Sequence, residues 1–121
     1  MPRTSASPLF QPYALGDLTL KNRVVMAPLT RSRSSDAGVP PDFAAAYYAQ
    51  CATAGLIISE ATNISPQARG YALTPCIWSP AQVEAWQRVT HAVHTQDGRM
   101  IGQTVNHLGP KLIGGKGKAV A

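Results

Sequence analysis

Three short polar stretches each follow an apolar run in this sequence: Ala27-Pro-Leu-Thr30, Glu60-Ala-Thr62 and Gln103-Thr-Val-Asn106. None holds a nucleophile beside a base, a pair of carboxylates or a set of metal ligands, so hydrolysis and metal catalysis are not indicated. What they offer is hydrogen-bonding capacity: peptide groups near Pro28 and at Ala61, the Thr30 hydroxyl, and the Gln103 amide, which donates and accepts at once. Such a set suits a flat heterocycle whose edge alternates donors and acceptors.

The other chemistry-bearing residues point to plainer roles. His91 and His94 are three apart on one helical stretch, but no third metal ligand accompanies them, so they are expected to be exposed polar residues and no metal is expected. Glu60, at the end of an apolar run, is expected to pair with Arg23 or Arg31. Tyr47, Tyr48 and Trp86 are expected to pack in or beside the core. Cys51 and Cys76 lack metal-site spacing and read as reduced thiols. A phosphate loop is nearly spelled after Gly109, but Gly115 stands where the lysine belongs. Shifted by one residue, Pro110 and Gly117 break the pattern instead, so nucleotide triphosphate chemistry is excluded.

The elements that must position these groups follow from local pattern. Tyr13-Ala-Leu15 and Asp17-Leu-Thr-Leu20 flank Gly16 as a hairpin, and Arg23 to Ala27 form a strand that must stop at Pro28, which lacks an amide donor. Asp42 is expected to cap a helix over 43–54 that puts Phe43, Tyr47 and Cys51 on its core face. Gly55 to Glu60 form a second buried strand. Ser79, Pro80 and Gln82 supply a hydroxyl N-cap, a first-turn proline and a capping box. The helix they open carries Val83, Trp86, Val89 and Val93 on one stripe and ends at Asp97-Gly98. Met100 to Val105 are a third strand, weakened by Gly102. Strands alternating with helices predict an α/β fold whose parallel sheet is buried on both faces, with ligands meeting the carboxyl ends of the strands. Two folds use that unit most, the open doubly wound sheet and the (β/α)8 barrel, and a closed barrel needs about 250 residues. With 121 residues, the chain can supply only about three of its βα units.

Ordered blocks across residues 9 to 103 carry a resemblance to a known family. They are Asn22-Arg-Val-Val-Met-Ala-Pro-Leu-Thr-Arg31, Tyr47-Tyr48, Gly55-Leu-Ile-Ile-Ser-Glu-Ala-Thr62, Gln67-Ala-Arg-Gly-Tyr71 and Asp97-Gly-Arg-Met100. Together they resemble the N-terminal part of the Old Yellow Enzyme family of FMN-dependent ene-reductases. The resemblance implies a partial (β/α)8 TIM barrel, an N-terminal hairpin closing its bottom plus about three βα units. It implies that Pro28, Leu29 and Thr30 line FMN, with the Thr30 hydroxyl near the flavin O4. It also implies that Ala61 meets the isoalloxazine through its backbone, that Gln103 reads the pyrimidine edge, and that Tyr71 stands over the substrate. The activity implied is reduction of a small activated alkene by NADPH or NADH through the flavin.

The family's substrate-polarising pair, proton-donating tyrosine and phosphate cradle have no counterpart in the matched stretch, so no catalytic residue is assigned. Residues 1–103 are expected to be a portion of the flavin-binding barrel. Residues 104–121 are expected to be a divergent basic tail, with Thr104-Val-Asn-His-Leu-Gly-Pro110 departing from the family's Leu-Trp-His pattern and His107 given no role. The expected state is a truncated, inactive piece of the enzyme. The alternative is a noncatalytic partial barrel that self-associates or complements another chain.

The formal net charge of +5 comes mainly from Arg99, Lys111, Lys116 and Lys118, with no acid after residue 98 and no aromatic residue in the tail to stack a base. Nucleic acid is therefore not an expected partner. Apolar runs fall short of the roughly 18 residues of a membrane span, and no signal sequence is evident, so a cytoplasmic protein is expected.

Overall fold

The computed structural model describes residues 7–106. The basic tail beyond Asn106, with His107 and the near-miss phosphate loop, lies outside the described residues. Two antiparallel strands, β1 (Tyr13–Leu15) and β2 (Leu18–Leu20), form the hairpin, with Leu15 opposite Leu18 across a two-residue turn. Gly16 sits there at φ +57°, a left-handed backbone that costs glycine least.

The central sheet is parallel and runs in the order β3 (Val25–Met26), β4 (Leu56–Ile58), β6 (Met100–Ile101). A second parallel pair joins β5 (Thr62–Asn63) to β7 (Thr104–Val105). Helix α1 (Ala44–Ala49) follows β3, and α2 (Pro80–Thr95) lies between β5 and β6. Consecutive strands with intervening helices lie side by side, so the described part is an open α/β unit built on a three-stranded parallel sheet.

Helix α2 begins as its local code requires. Gln82 N donates to Ser79 Oγ, while Ser79 N donates to Gln82 Oε1 at 2.9 Å. At its other end Asp97, at φ +59°, takes the left-handed position, and Gly98 N donates to Val93 O at 2.9 Å to close the last turn.

Helix α1 departs from expectation at both ends. Phe43, not Asp42, is its N-cap and makes no side-chain cap bond. Ala44 N instead donates to Pro41 O, and the fully exposed Asp42 carboxylate lies 3.7 Å from the Arg88 guanidinium. At the far end the chain tightens into three-residue turns, with Cys51 N on Tyr48 O and Ala52 N on Ala49 O. Lys21 Nζ donates to Ala52 O at 2.7 Å and to Asp97 O at 3.0 Å, and Asn22 Nδ2 donates to Thr53 O. Side chains from the segment before β3 thereby hold the outgoing ends of both helical segments.

The core lies between sheet and helices. Met26, Ile57 and Met100 stand in register on the helical face of the three strands. They pack with Ala44, Tyr48 and Ala52 of the α1 segment and Trp86, Val89 and Val93 of α2. The buried face of the α1 segment is therefore Ala44/Tyr48/Ala52, one residue round from the expected Phe43/Tyr47/Cys51; Tyr47 and Cys51 lie at the margin and Phe43 is 61% exposed. Small alanines let the backbone approach the sheet, so the single large residue buried is Tyr48. On α2 the buried stripe is Gln82, Trp86, Val89 and Val93, with Ala85 beside it, whereas Val83 is exposed.

Burial on both sheet faces is not observed. Opposite the helices, Val25 is 46% and Ile101 44% exposed. The hairpin reaches that face only at the starts of β3 and β4, where Tyr13, Leu15 and Leu20 border a cavity of about 320 Å³ with Val25 and Leu56. The expected third strand also divides. Gly102 and Gln103 interrupt it, and Thr104-Val105 pairs with Thr62-Asn63 instead of extending the central sheet.

Candidate functional site

The carboxyl ends of β3, β4 and β6 fall at one end of the parallel sheet, and hydrogen bonds draw the segments after them together. Arg31 N donates to Glu60 Oε1 at 3.4 Å, linking the segment after β3 to the end of β4. Gln103 N donates to Ser59 Oγ at 3.0 Å, and Thr62 N donates to Gln103 O at 2.8 Å. Thr30, Ala61 and Gln103 each adjoin a residue of this network or belong to it.

The groups left over are the ones suited to a ligand. Pro28, Leu29 and Thr30 are exposed, Leu29 at 49%, while Ala61 and Gln103 are half-buried. Among the described residues, the Thr30 hydroxyl, the peptide N–H of Ala61 and the Gln103 side-chain amide have no protein partner. Polar groups fixed at a strand end without internal partners are free to bind a ligand edge.

Tyr71 occupies the loop after β5 and is 61% exposed, with its carbonyl accepting from Thr74 Oγ1 at 2.9 Å. That loop is held from beneath by the buried Asn63, whose Nδ2 donates to Thr74 Oγ1 and Pro75 O, each at 2.9 Å.

Glu60 does not form the expected salt bridge. The Arg31 and Arg23 guanidinium groups stack over the rings of Tyr47 and Tyr13, at 4.9 and 5.3 Å from their centroids. Glu60 itself is 8% exposed. Its backbone N–H donates to Tyr48 Oη at 3.0 Å, and Tyr48 Oη donates in turn to Glu60 Oε2 at 3.4 Å. Burial pushes the Glu60 carboxyl above its ordinary range; the Arg31 peptide N–H, the Tyr48 hydroxyl and the Arg31 charge oppose that without cancelling it. Burial likewise raises the Tyr48 hydroxyl far above the usual phenol value. The sequence marks Tyr48 only as a packing residue. The signal it holds is that a tyrosine on a core face needs a partner for its hydroxyl, and the end of the neighbouring strand supplies one.

Other candidates stand apart from this end. His91 and His94 are exposed on α2, and no group of three metal-capable side chains gathers among the described residues. Both cysteines carry free thiols. No described helix is long and apolar enough to cross a membrane.

Comparison with known proteins places this geometry in context. Residues 8–113 match the NADH:flavin oxidoreductase / NADH oxidase family. The chain is 49% identical over 106 residues to 12-oxophytodienoate reductase 1 of Oryza sativa subsp. japonica, covering 87% of this chain and 27% of that protein. Among solved structures, the old yellow enzyme homologue from Zymomonas mobilis superposes with a TM-score of 0.79 at 52% identity, covering 81% of this chain and 28% of its own. Morphinone reductase in complex with tetrahydroNAD gives a TM-score of 0.78 at 56% identity, covering 81% and 27%. These structural neighbours are TIM barrels, and the chain spans about a quarter to a third of the length of the relatives it matches.

Proposed function

The chain belongs to the NADH:flavin oxidoreductase / NADH oxidase family, and from that premise we propose that it is the flavin-facing N-terminal portion of an FMN-dependent ene-reductase. Pro28, Leu29, Thr30, Ala61 and Gln103 would hold the isoalloxazine, and Tyr71 would border the substrate. The observation that carries the reading is the convergence of three parallel strand ends. Their hydroxyl, peptide and amide groups, without a protein partner among the described residues, would suit the alternating edge of a flavin. Bound FMN would supply hydride chemistry, taking hydride from NADPH or NADH and delivering it to an activated alkene.

The chain's own part is to orient and to tune. The Thr30 hydroxyl and the Ala61 N–H can donate to ring acceptors, the Gln103 amide can both donate and accept, and Leu29 and Pro28 present apolar surface to the ring. The matched stretch holds no proton donor or phosphate cradle of the family, so the chain alone is proposed to be catalytically inactive and to bind FMN weakly.

Titrating the purified 121-residue chain into FMN while following flavin fluorescence and absorbance tests this. Weak quenching that falls about fivefold in each of Thr30→Val and Gln103→Ala is expected, one hydrogen bond being worth about 1 kcal/mol. Equal behaviour of wild type and both variants would reject the assignment of these residues. Copurification of one flavin per chain would overturn the inactive-fragment part.

The second reading, a noncatalytic partial barrel, draws on the uncovered face at Val25 and Ile101 and on β3 and β6, which are edge strands among the described residues. It predicts association with a second copy or a complementing barrel piece. A monodisperse, well-folded monomer in sedimentation velocity would count against it.

A further inference from the structure

Tyr48 joins the apolar core to the ligand end of the sheet. It is 1% exposed, its ring packs between Tyr47 and Trp86, and its hydroxyl engages both the backbone and the side chain of Glu60. Strand β4 stops at Ile58, so the Glu60 N–H has no ladder partner; Tyr48 Oη takes that place at 3.0 Å. The Glu60 carbonyl is held from the other side, accepting from Ser59 Oγ at 3.0 Å and Thr62 Oγ1 at 2.9 Å.

A trans peptide is planar, so a carbonyl fixed by two hydroxyls sends the N–H of the next residue the opposite way. That N–H belongs to Ala61 and has no protein partner among the described residues. Ser59 Oγ also accepts from Gln103 N, and Gln103 O accepts from Thr62 N, so the same few atoms set the position of Gln103.

We propose that Tyr48 is a positioning residue for the cofactor end of the sheet: its hydroxyl fixes the Ser59–Glu60 peptide through the Glu60 N–H, and with it the adjoining Glu60–Ala61 peptide that Ser59 and Thr62 hold and the Gln103 backbone bonded to those same residues. The proposal rests on the flavin reading above for what those groups face. The groups that face Glu60 are Tyr47 and Tyr48 from α1 and Arg31 and Arg33 from the loop after β3; with Phe43 they border a cavity of about 110 Å³. Phenylalanine at position 48 would keep the packing and leave the Glu60 N–H buried without an acceptor. The strand end would then open while the core stayed closed.

The test uses the full chain and its Tyr48→Phe variant, followed residue by residue with amide hydrogen exchange and backbone NMR. Exchange at Glu60, Thr62 and Gln103 is expected to rise at least tenfold in the variant, and the Ala61 and Gln103 resonances to move. The Val89 and Val93 amides of α2 are expected to keep their protection. FMN quenching is expected to weaken about tenfold with an altered flavin absorption band. Unchanged exchange at residues 60, 62 and 103, or a rise shared equally by Val89 and Val93, would overturn the proposal.

Should Tyr48→Phe not fold, Ser59→Ala decides: it removes the Gln103 acceptor and should free Gln103 while the Glu60 N–H stays protected by Tyr48. Equal loss of protection at Glu60 would overturn the arrangement. Failure of the wild type to quench FMN would remove the flavin reading, and the exchange pattern would still decide the positioning role.

Discussion

Replacing Gly55 with alanine should be strongly destabilising. An added Cβ at Gly55 would lie 2.0 Å from the Asn22 carbonyl oxygen and 2.9 Å from Asn22 Oδ1, so the backbone would have to move by more than about 1 Å to reach an ordinary contact of about 3.3 Å. That backbone is tied in place. Gly55 N donates to Val24 O at 2.8 Å, Asn22 Nδ2 to Thr53 O at 2.8 Å, and Val24 N to Asn22 Oδ1 at 3.0 Å. Overpacking costs about 1 to 3 kcal/mol, and weakening two of these bonds adds about 1 kcal/mol each, giving about 3 to 5 kcal/mol. A domain of this size holds about 5 to 15 kcal/mol in total, and an uncovered sheet face puts this one toward the lower end. Urea unfolding followed by circular dichroism should show the midpoint falling by about 2 to 3 M at an m-value near 1.5 kcal/mol/M. Two control glycines separate sterics from backbone strain. Gly16→Ala meets nothing within 4 Å but forces alanine to φ +57°, and should cost about 1 kcal/mol. Gly102→Ala meets neither obstacle and should be neutral or slightly stabilising. If Gly55→Ala unfolds at the same urea concentration as Gly102→Ala, the tight junction between the Asn22 turn and β4 is refuted.

Lys21→Met removes the cation shared by the Ala52 and Asp97 carbonyls, one bond part-buried and the other exposed; the expected loss is about 1 to 2 kcal/mol by the same unfolding assay. Gln82→Ala should cost about 3 kcal/mol and Ser79→Ala about 1 kcal/mol. Gln82 is 1% exposed and also accepts from Trp78 N and donates to Ala37 O, while Ser79 supplies only the cap. Glu60→Gln tests the buried carboxyl. A carboxyl whose folded value is raised contributes its stability fully below the ordinary value near 4.5 and loses it as pH rises through the folded value. The thermal midpoints of wild type and variant should therefore agree near pH 4, and wild type should fall progressively below Glu60→Gln as pH rises; parallel curves would contradict burial of the charged form.

What the sequence made legible was what local chemistry decides. Ser79-Pro80-Ala81-Gln82 specifies the start of α2 within four residues, and Asp97-Gly98 specifies its end. The alanine-rich stretch 44–54 carries no such code, because apolar residues lie all round it. A one-residue error turns the helix by 100°, enough to exchange Tyr48 for Tyr47 as the buried ring. The break at Gly102-Gln103 was hidden for a related reason. Met100 to Val105 read as one strand, but its partner lines up with it in two pieces, and pairing between distant segments leaves no local mark. That the segments after the strands gather at one end of the sheet was readable, because parallel strands bring their carboxyl ends together whatever the side chains are. The Glu60–Tyr48 contact was not, since a charged residue beside arginines invites an ion pair, whereas burial favours a hydroxyl that can serve the backbone and the carboxyl together.

The two ends of the short sheet carry different loads. At the amino-terminal end, Lys21, Asn22 and Gly55 join the hairpin segment to the outgoing ends of both helical segments, and every bond there involves a backbone carbonyl or amide with no freedom left for a ligand. At the carboxyl end, Ser59, Glu60 and Thr62 spend their hydrogen bonds on one another, on Tyr48, on the Arg31 N–H and on the Gln103 backbone, and the Thr30 hydroxyl, the Ala61 N–H and the Gln103 amide have no partner among the described residues. Only two or three residues of strand, about 7 to 10 Å, separate these ends. That distance leaves the carboxyl end little stability of its own, because the helical core touches each strand at one residue: Met26, Ile57 or Met100. Tyr48 is where the core reaches past the strands to the rim. A site built on so short a sheet therefore depends on a hydroxyl carried by the core helix, because the strands are too short for their own ladder to hold the rim in place.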